Sequence, residues 1–262
     1  MLLENKIAII HGAGGQLGGA TARQFARDGA RLFLAGRTLS KVQAVADEIN
    51  VAGGNAEAAE VDALDEAQAR AHADAVVTKA GRIDITFNAI SIRGDLQGTR
   101  LIDMPTEDVL TPILTGARTH LLTALAAARH MVKQRSGVIL TLSSTGAHLS
   151  GRDQMKHSTG GFGVACSTIE ALSRTLAAEL GPHGIRVVCL RSEAITELWP
   201  MDSEHAEMFR DFKTYMTAGT ILGRTTSLAE LANGAALAAS DRSSAISGAI
   251  LNLTCGSVMD GD

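Results

Sequence analysis

One tyrosine, Tyr215, and one tryptophan, Trp199, occur among 262 residues, and aromatic residues make up only 3% of the chain. Chemistry that rests on a tyrosine must use Tyr215 or do without one. Cysteine is also scarce: Cys166, Cys189 and Cys255 stand 23 and 66 residues apart, a spacing that forms no zinc or disulfide framework. Their neighbours are apolar, so buried free thiols in a reducing compartment are expected, which points to the cytoplasm. No apolar run reaches the roughly 18 residues of a membrane span. The start, Met1 to Lys6, lacks the basic and apolar regions of a signal peptide. Basic residues are not in excess: the net charge is −4 and the pI about 6.1. With no basic stripe to neutralise phosphates, nucleic-acid binding is excluded as an expectation.

What is present is a glycine-rich, globular composition: 45% hydrophobic, 20% charged, with 27 glycines. The length suits one α/β domain. Apolar runs predict strands at 6–11, 31–35, 56–61, 83–88, 138–142, 185–190 and 250–253. Helical patterns lie between them, over 40–52, 65–80, 106–134 and 162–180. Gly29 should close the first helix, and Pro112 should kink or divide the long one. Ser227 and Glu230 form a capping box before another helix. No linker or repeat interrupts the alternation, which predicts a parallel sheet with helices on both faces.

His11-Gly12-Ala13-Gly14-Gly15-Gln16-Leu17-Gly18 joins the first strand to the first helix. Gly12 permits a tight turn, small residues let the backbone approach a pyrophosphate, and the helix N-terminus faces the anion. A lone glycine pattern says little; a strand before it and a helix after it supply the context of a dinucleotide site. The expected fold is therefore a Rossmann-type doubly wound parallel sheet of about seven strands. The second strand ends in Ala35-Gly36-Arg37-Thr38. No carboxylate repels a 2′-phosphate there and Arg37 can pair with one, which favours NADP(H) over NAD(H).

Further segments follow in order: Val61-Asp62, Asn88-Ala89, Ser143-Ser144, Glu170 to Leu180 running into Gly184-Ile185-Arg186-Val187, Leu222-Gly223-Arg224 and Ser247-Gly248. With the glycine loop, this set resembles the short-chain dehydrogenases/reductases over nearly the whole chain. The resemblance implies that Asp62, with Ala63, contacts the adenine and that Asn88 and Ala89 line the adenosine ribose. It implies that the Ile195 backbone meets the nicotinamide carboxamide and that Ser144 orients a substrate carbonyl. It also implies a homodimer or homotetramer.

The departures from the family are as informative. Gln16 replaces the middle glycine, while Gly12, Gly15 and Gly18 keep a spacing that suits a dinucleotide. Counting from Gly116, the family's active-site asparagine reads Ile113. Counting back from Glu179 and Gly184, its Tyr-x-x-x-Lys pair reads Phe162 and Cys166. The Pro-Gly after the sixth strand reads Ser192-Glu193, and the loop between Ser144 and Phe162 is longer than usual. Phe162 has no proton to give, and Cys166 cannot reach a ribose as an ammonium would. Loss of a general acid costs roughly 10²–10⁴-fold in rate. The enoyl-reductase variant, Tyr-x6-Lys, is not restored, since Thr159 and Cys166 occupy its positions.

The long loop carries His148, Asp153, Lys156 and His157. A histidine could supply the proton, His157 first and His148 second; as surface residues of a polar loop they need no role. Phe162 and Cys166 also fit an apolar helical stripe with Ile169, Leu172, Leu176 and Leu180, and packing or a subunit interface explains them without chemistry. Four of the eight aromatic residues fall in the segment from about 192 to 220, read by resemblance as a substrate lid. An apolar lid suggests an apolar small-molecule ligand. Two functions stand together: an NAD(P)(H)-dependent oxidoreductase acting on an apolar carbonyl or enoyl substrate by a divergent site, or a catalytically silent dinucleotide-binding sensor or partner subunit.

Overall fold

The computed structural model describes residues 1–92, 94–95, 97–147, 158–199 and 206–259. Seven strands form one sheet: β1 (Ile7–His11), β2 (Arg31–Gly36), β3 (Asn55–Glu60), β4 (Ile85–Asn88), β5 (Gly137–Ser144), β6 (Ile185–Ser192) and β7 (Ile250–Leu253). Their order is β3-β2-β1-β4-β5-β6-β7, and every neighbouring pair is parallel. The chain reverses its direction of travel across the sheet between β1 and β4. At such a switch point the loops leaving the carboxyl ends of the strands part and leave a crevice.

The helices α1 (Gln16–Arg27), α2 (Leu39–Val51), α3 (Glu66–Ala80), α4 (Thr106–Gln134), α5 (Gly160–Leu180), α6 (Ala206–Ala218) and α7 (Leu228–Ala239) join these strands. Alternate side chains of one strand serve opposite faces. Ile10, Leu32 and Leu34 pack with Phe25 of α1, Val42 of α2 and Ala235 and Ala236 of α7. Ile9 and Phe33, with Ile139 and Val187, pack on the other face with Ala73 and Val76 of α3, Ala127 and Met131 of α4 and Leu176 of α5. Both faces of each central strand are thus buried, which is why the strands read as continuous apolar runs.

Local signals set the helix ends. Asp65 accepts from Ala67 N–H at 2.8 Å and Gln68 N–H at 3.1 Å to start α3, and Gly81 ends it at φ 82°. The expected capping box of Ser227 and Glu230 opens α7. Gly29, at φ 93°, closes α1 as expected.

Pro112 does not divide α4, which runs unbroken from Thr106 to Gln134. The proline lies in the second turn, where it deletes a single helical hydrogen bond, and its buried ring is held by close packing on α5. That packing requires glycine at 161, because a Cβ there would fall onto the Val109 carbonyl oxygen. The helix after the long loop also starts at Gly160, two residues before the Phe162 expected from the pattern.

Strands β5 and β6 run further than their apolar patterns suggest. They stay in register through Ser143↔Arg191 and Ser144↔Ser192. Polar residues continue the ladder here because their side chains find partners: Ser143 and Arg191 both donate to Glu170 of α5, and Arg191 to Asn252 of β7.

Candidate active site

At the carboxyl end of β1 the backbone does the shaping. Gly12 and Ala13 donate to the Ala35 carbonyl at 2.8 and 3.1 Å, and Gly15 donates to the Gly12 carbonyl at 3.0 Å. Gly12 sits at φ 77°, and a Cβ there would lie 2.9 Å from the Ala89 oxygen. Gly15 precedes α1 with no side-chain cap, and Gly18 is buried beneath the turn. The first-turn N–H groups of Gln16, Leu17 and Gly18 therefore have no helical acceptor and are free for an anion.

Around this loop stand the other residues expected at a dinucleotide. Arg37 and Thr38 are exposed at the end of β2, and Arg37 forms no ion pair among the described residues. Asp62 accepts from Leu64 N–H at 3.0 Å, and Ala63 is buried beside it. The Asn88 side chain is turned inward: it donates to Thr123 Oγ1 at 3.1 Å and accepts from Ile90 N–H at 3.0 Å. Its amide braces the β4 loop on α4, so what this position offers a ligand is backbone.

Two adjoining cavities continue the crevice. The smaller, of about 250 Å³, runs past Leu17, Ile90, Ser144, Cys166 and Ile195. The larger, of about 640 Å³, lies under the aromatic segment and is lined by Gly94, Met208, Phe209, Phe212, Tyr215 and Met216 among others. Ser144, Phe162, Glu193 and Trp199 line both. The sequence-predicted Ser144, Phe162, Cys166 and Ile195 are thus brought together with the end of the glycine loop. Ile113 is half-buried on α4 and lines neither cavity.

The Phe162 ring lies against Gly146 and Gly94; a Cβ on Gly146 would stand 3.0 Å from it. The absence of side chains at those two positions makes room for the ring. Cys166, one turn along α5, is buried, and burial pushes its thiol up to about 12, so it stays neutral. Cys166, Ile169 and Leu176 all pack inside this chain, so the stripe on α5 is explained by the monomer's own core. Cys189 is likewise buried, whereas Cys255 is only half-buried, short of the expected burial of all three thiols.

Sequence reasoning missed the buried carboxylates. Glu170 on α5 receives the Arg191 guanidinium through Nε and Nη2, each at 2.8 Å, and the Ser143 hydroxyl at 2.7 Å. Arg191 also reaches Asn252 of β7 at 2.8 Å. Glu193, 2% exposed, follows β6 and accepts from Thr145 Oγ1 at 3.1 Å, from Ala194 N–H at 2.9 Å and from the Ser257 hydroxyl. Glu193 was visible only as a replacement for glycine. Its inward direction depends on the β5, β6 and C-terminal segments meeting.

The aromatic segment folds over the larger cavity as a short turn at Thr196–Leu198 and helix α6. Trp199 stacks on Phe212 at 5.5 Å, and Phe212 on Tyr215 at 6.2 Å. His148, Asp153, Lys156 and His157 lie outside the described residues, as does Met201. Among the described residues no cluster of His, Cys, Asp or Glu suits a metal ion, and no helix is long and apolar enough to cross a membrane.

The sheet order, the glycine loop at its switch point and the crevice beyond it define a Rossmann-type nucleotide-binding fold. A family model described as enoyl-(acyl carrier protein) reductase matches residues 12–257. An uncharacterized oxidoreductase, YxbG, of Bacillus subtilis is 30% identical, covering 94% of this chain and 88% of its own. Tropinone reductase-like 2 of Erythroxylum coca is 31% identical with the same coverage. Among solved structures, a short-chain type dehydrogenase/reductase from Mycobacterium marinum superposes with a TM-score of 0.84 at 29% identity, over 98% of this chain and 96% of its own. The chain belongs to the short-chain dehydrogenase/reductase superfamily, a family of NAD(P)-binding oxidoreductases.

Proposed function

We propose that this protein is an NADP(H)-dependent oxidoreductase acting on an apolar carbonyl or enoyl compound through a site that lacks the family's tyrosine and lysine. The observation that carries the reading is the smaller cavity, which connects Leu17 at the glycine loop to Ser144 at the end of β5. The loop fits a dinucleotide: Gly12 leaves space that a Cβ would fill, and the first turn of α1 is uncapped. Arg37, exposed at the end of β2, would pair with a 2′-phosphate. Asp62, Ala63, Asn88 and Ala89 would border the adenosine, and Ile195 the carboxamide end.

When bound, the nicotinamide supplies a hydride. Ser144 would hold the substrate oxygen by its hydroxyl. Phe162 gives no proton, and the neutral thiol of Cys166 holds no ribose. We assign the proton to a histidine of the long loop, His157 before His148. The apolar lid over 192–220 covers the substrate within a single dinucleotide-binding domain. We also infer a homodimer or homotetramer; the exposed Leu110, Leu114 and Leu121 of α4, with Val164 of α5, support a subunit contact. A cytoplasmic setting agrees with the buried free thiols.

A second reading, a silent dinucleotide-binding sensor or partner subunit, is favoured by one observation. The Phe162 ring fills its place against Gly146 and Gly94.

Titration with NADPH and NADH by nicotinamide fluorescence tests the cofactor. NADPH should bind tighter, and Arg37→Ala should weaken it about tenfold while leaving NADH unchanged. Binding of neither defeats both readings. His157→Ala should lower turnover far more than cofactor affinity. NADPH binding without oxidation by any member of a carbonyl and enoyl panel would select the silent reading.

A further inference from the structure

We infer that the larger cavity takes an organic cation: an apolar ammonium compound seated between the Glu193 carboxylate and the aromatic wall of Trp199, Phe212 and Tyr215. This names the substrate class of the proposed oxidoreductase and, as to its chemistry, rests on that reading.

Two buried carboxylates stand near this site, and they are treated differently. Glu170 is met by the Arg191 guanidinium. Among the described residues Glu193 has neutral donors, the hydroxyls of Thr145 and Ser257 and its neighbour's peptide N–H. No cation pairs with it among the described residues. An ionised carboxylate offers about four acceptor positions, of which these donors fill three. A carboxylate taken out of water is costly unless opposite charge reaches it. Glu193 lines both cavities, so a ligand can supply that charge.

The wall points the same way. Among its described residues the charged ones are Asp95, which has a partner within the protein, and Glu193. Trp199 and Phe212 stack at 5.5 Å with planes 17° apart, and Tyr215 continues the row. Aromatic faces carry negative potential and attract ammonium groups, tryptophan most strongly. A cavity of about 640 Å³ holds an apolar molecule well beyond the ammonium head.

The only tryptophan of the chain stands in this wall, so its emission reports occupancy directly. The full-length protein is titrated, without nucleotide, with three ligands of similar shape: phenyltrimethylammonium, tert-butylbenzene and 4-tert-butylbenzoate. The cation should bind at least about tenfold tighter than the neutral isostere, and the anion weakest. Glu193→Gln should remove most of the cation's advantage over the neutral ligand. If that variant does not fold, Phe212→Leu should weaken the cation several-fold and the neutral compound less. Equal affinity for all three, or preference for the anion, would overturn the inference; so would an unchanged preference in Glu193→Gln or, where that variant does not fold, in Phe212→Leu.

A repeat at saturating NADP⁺ separates two sources of positive charge. Retained cation binding keeps the ammonium in the larger cavity. Its loss would assign Glu193 to the pyridinium of the cofactor and overturn the substrate assignment. Charge selectivity without any NADP(H) binding would sink the oxidoreductase reading and leave this site standing. NADPH binding without charge selectivity would do the reverse.

Discussion

At the β1–α1 loop the groups that face the crevice are peptide N–H groups; at the ends of β5 and β6 they are side chains. The first arrangement needs glycine at Gly12 and small residues around it, because the backbone itself must approach another backbone. Few substitutions keep that geometry. The second sets Ser144 at the end of the β5–β6 ladder, Glu193 just beyond β6, and Phe162 and Cys166 on α5, where regular backbone hydrogen bonds hold whatever the side chains are. Chemistry can therefore change at one end of a crevice while the other keeps its shape. In this chain the loop end is built of glycines at 12, 14, 15 and 18, and the strand end carries Phe162 and Cys166, neither of which holds a labile charge.

The largest effect expected from this contrast is a gain. Phe162→Tyr with Cys166→Lys should raise carbonyl turnover about 10²–10⁴-fold, because a general acid is supplied. Steady-state NADPH oxidation checks it, with circular dichroism to show that the buried position accepts the lysine. Phe162→Tyr alone tests the acid without that burden. No gain in either variant would show that more than these two side chains separates the ends.

Next is the framework under the strand end. Arg191→Met leaves the Glu170 carboxylate buried without its guanidinium, and should destabilise the fold by about 3–5 kcal/mol. In a chain of this size that lowers Tm by on the order of 10 °C. A shift within a degree or two would mean that the pair contributes specificity and little stability.

Gly12→Val should then abolish measurable dinucleotide binding, since its φ of 77° and the nearby Ala89 oxygen exclude a branched side chain. Unchanged NADPH affinity would falsify the loop assignment. Because the strand end is independent, Trp199 emission should still report ligands in the larger cavity.

The smallest effect concerns pH. Burial lowers His11 to about 3, and His72 and His120 to about 4. The unfolded chain takes up these protons near pH 6.5 and the folded chain does not. Their contribution is therefore fully present above about pH 6.5 and is lost as pH falls towards 4 and then 3. Tm should decline between pH 6.5 and 5, above the range where the carboxylates titrate. His72→Phe should flatten part of that slope; an unaltered slope would place its origin elsewhere.

The legible parts of the fold share one trait, which is that their causes are local. The β1 pattern, the Gly12 turn, the Asp65 and Ser227 caps and the Gly29 stop each depend on a few adjacent residues. The differences lie where a distant segment decides. Pro112 keeps its helix whole because α5 packs against it, and β5 and β6 extend because Glu170 satisfies Ser143 and Arg191 together. The positions of Phe162 and Cys166 could be counted from downstream motifs. That the ring would rest on Gly146 and Gly94 could not, since those residues come from two separate loops.

The amino-acid sequence by itself determined the alternation of strands and helices, the parallel sheet and the glycine loop at its switch point. Periodicity and turn chemistry act over a few residues and need no further information. Only the tertiary structure decided which carboxylate received a counter-charge among the described residues and which did not. Glu170 meets Arg191 across α5 and β6, while Glu193 meets hydroxyls from 145 and 257, residues far apart in the chain. Burial and charge pairing are properties of what surrounds a side chain, and those surroundings exist only once the sheet has brought its ends together.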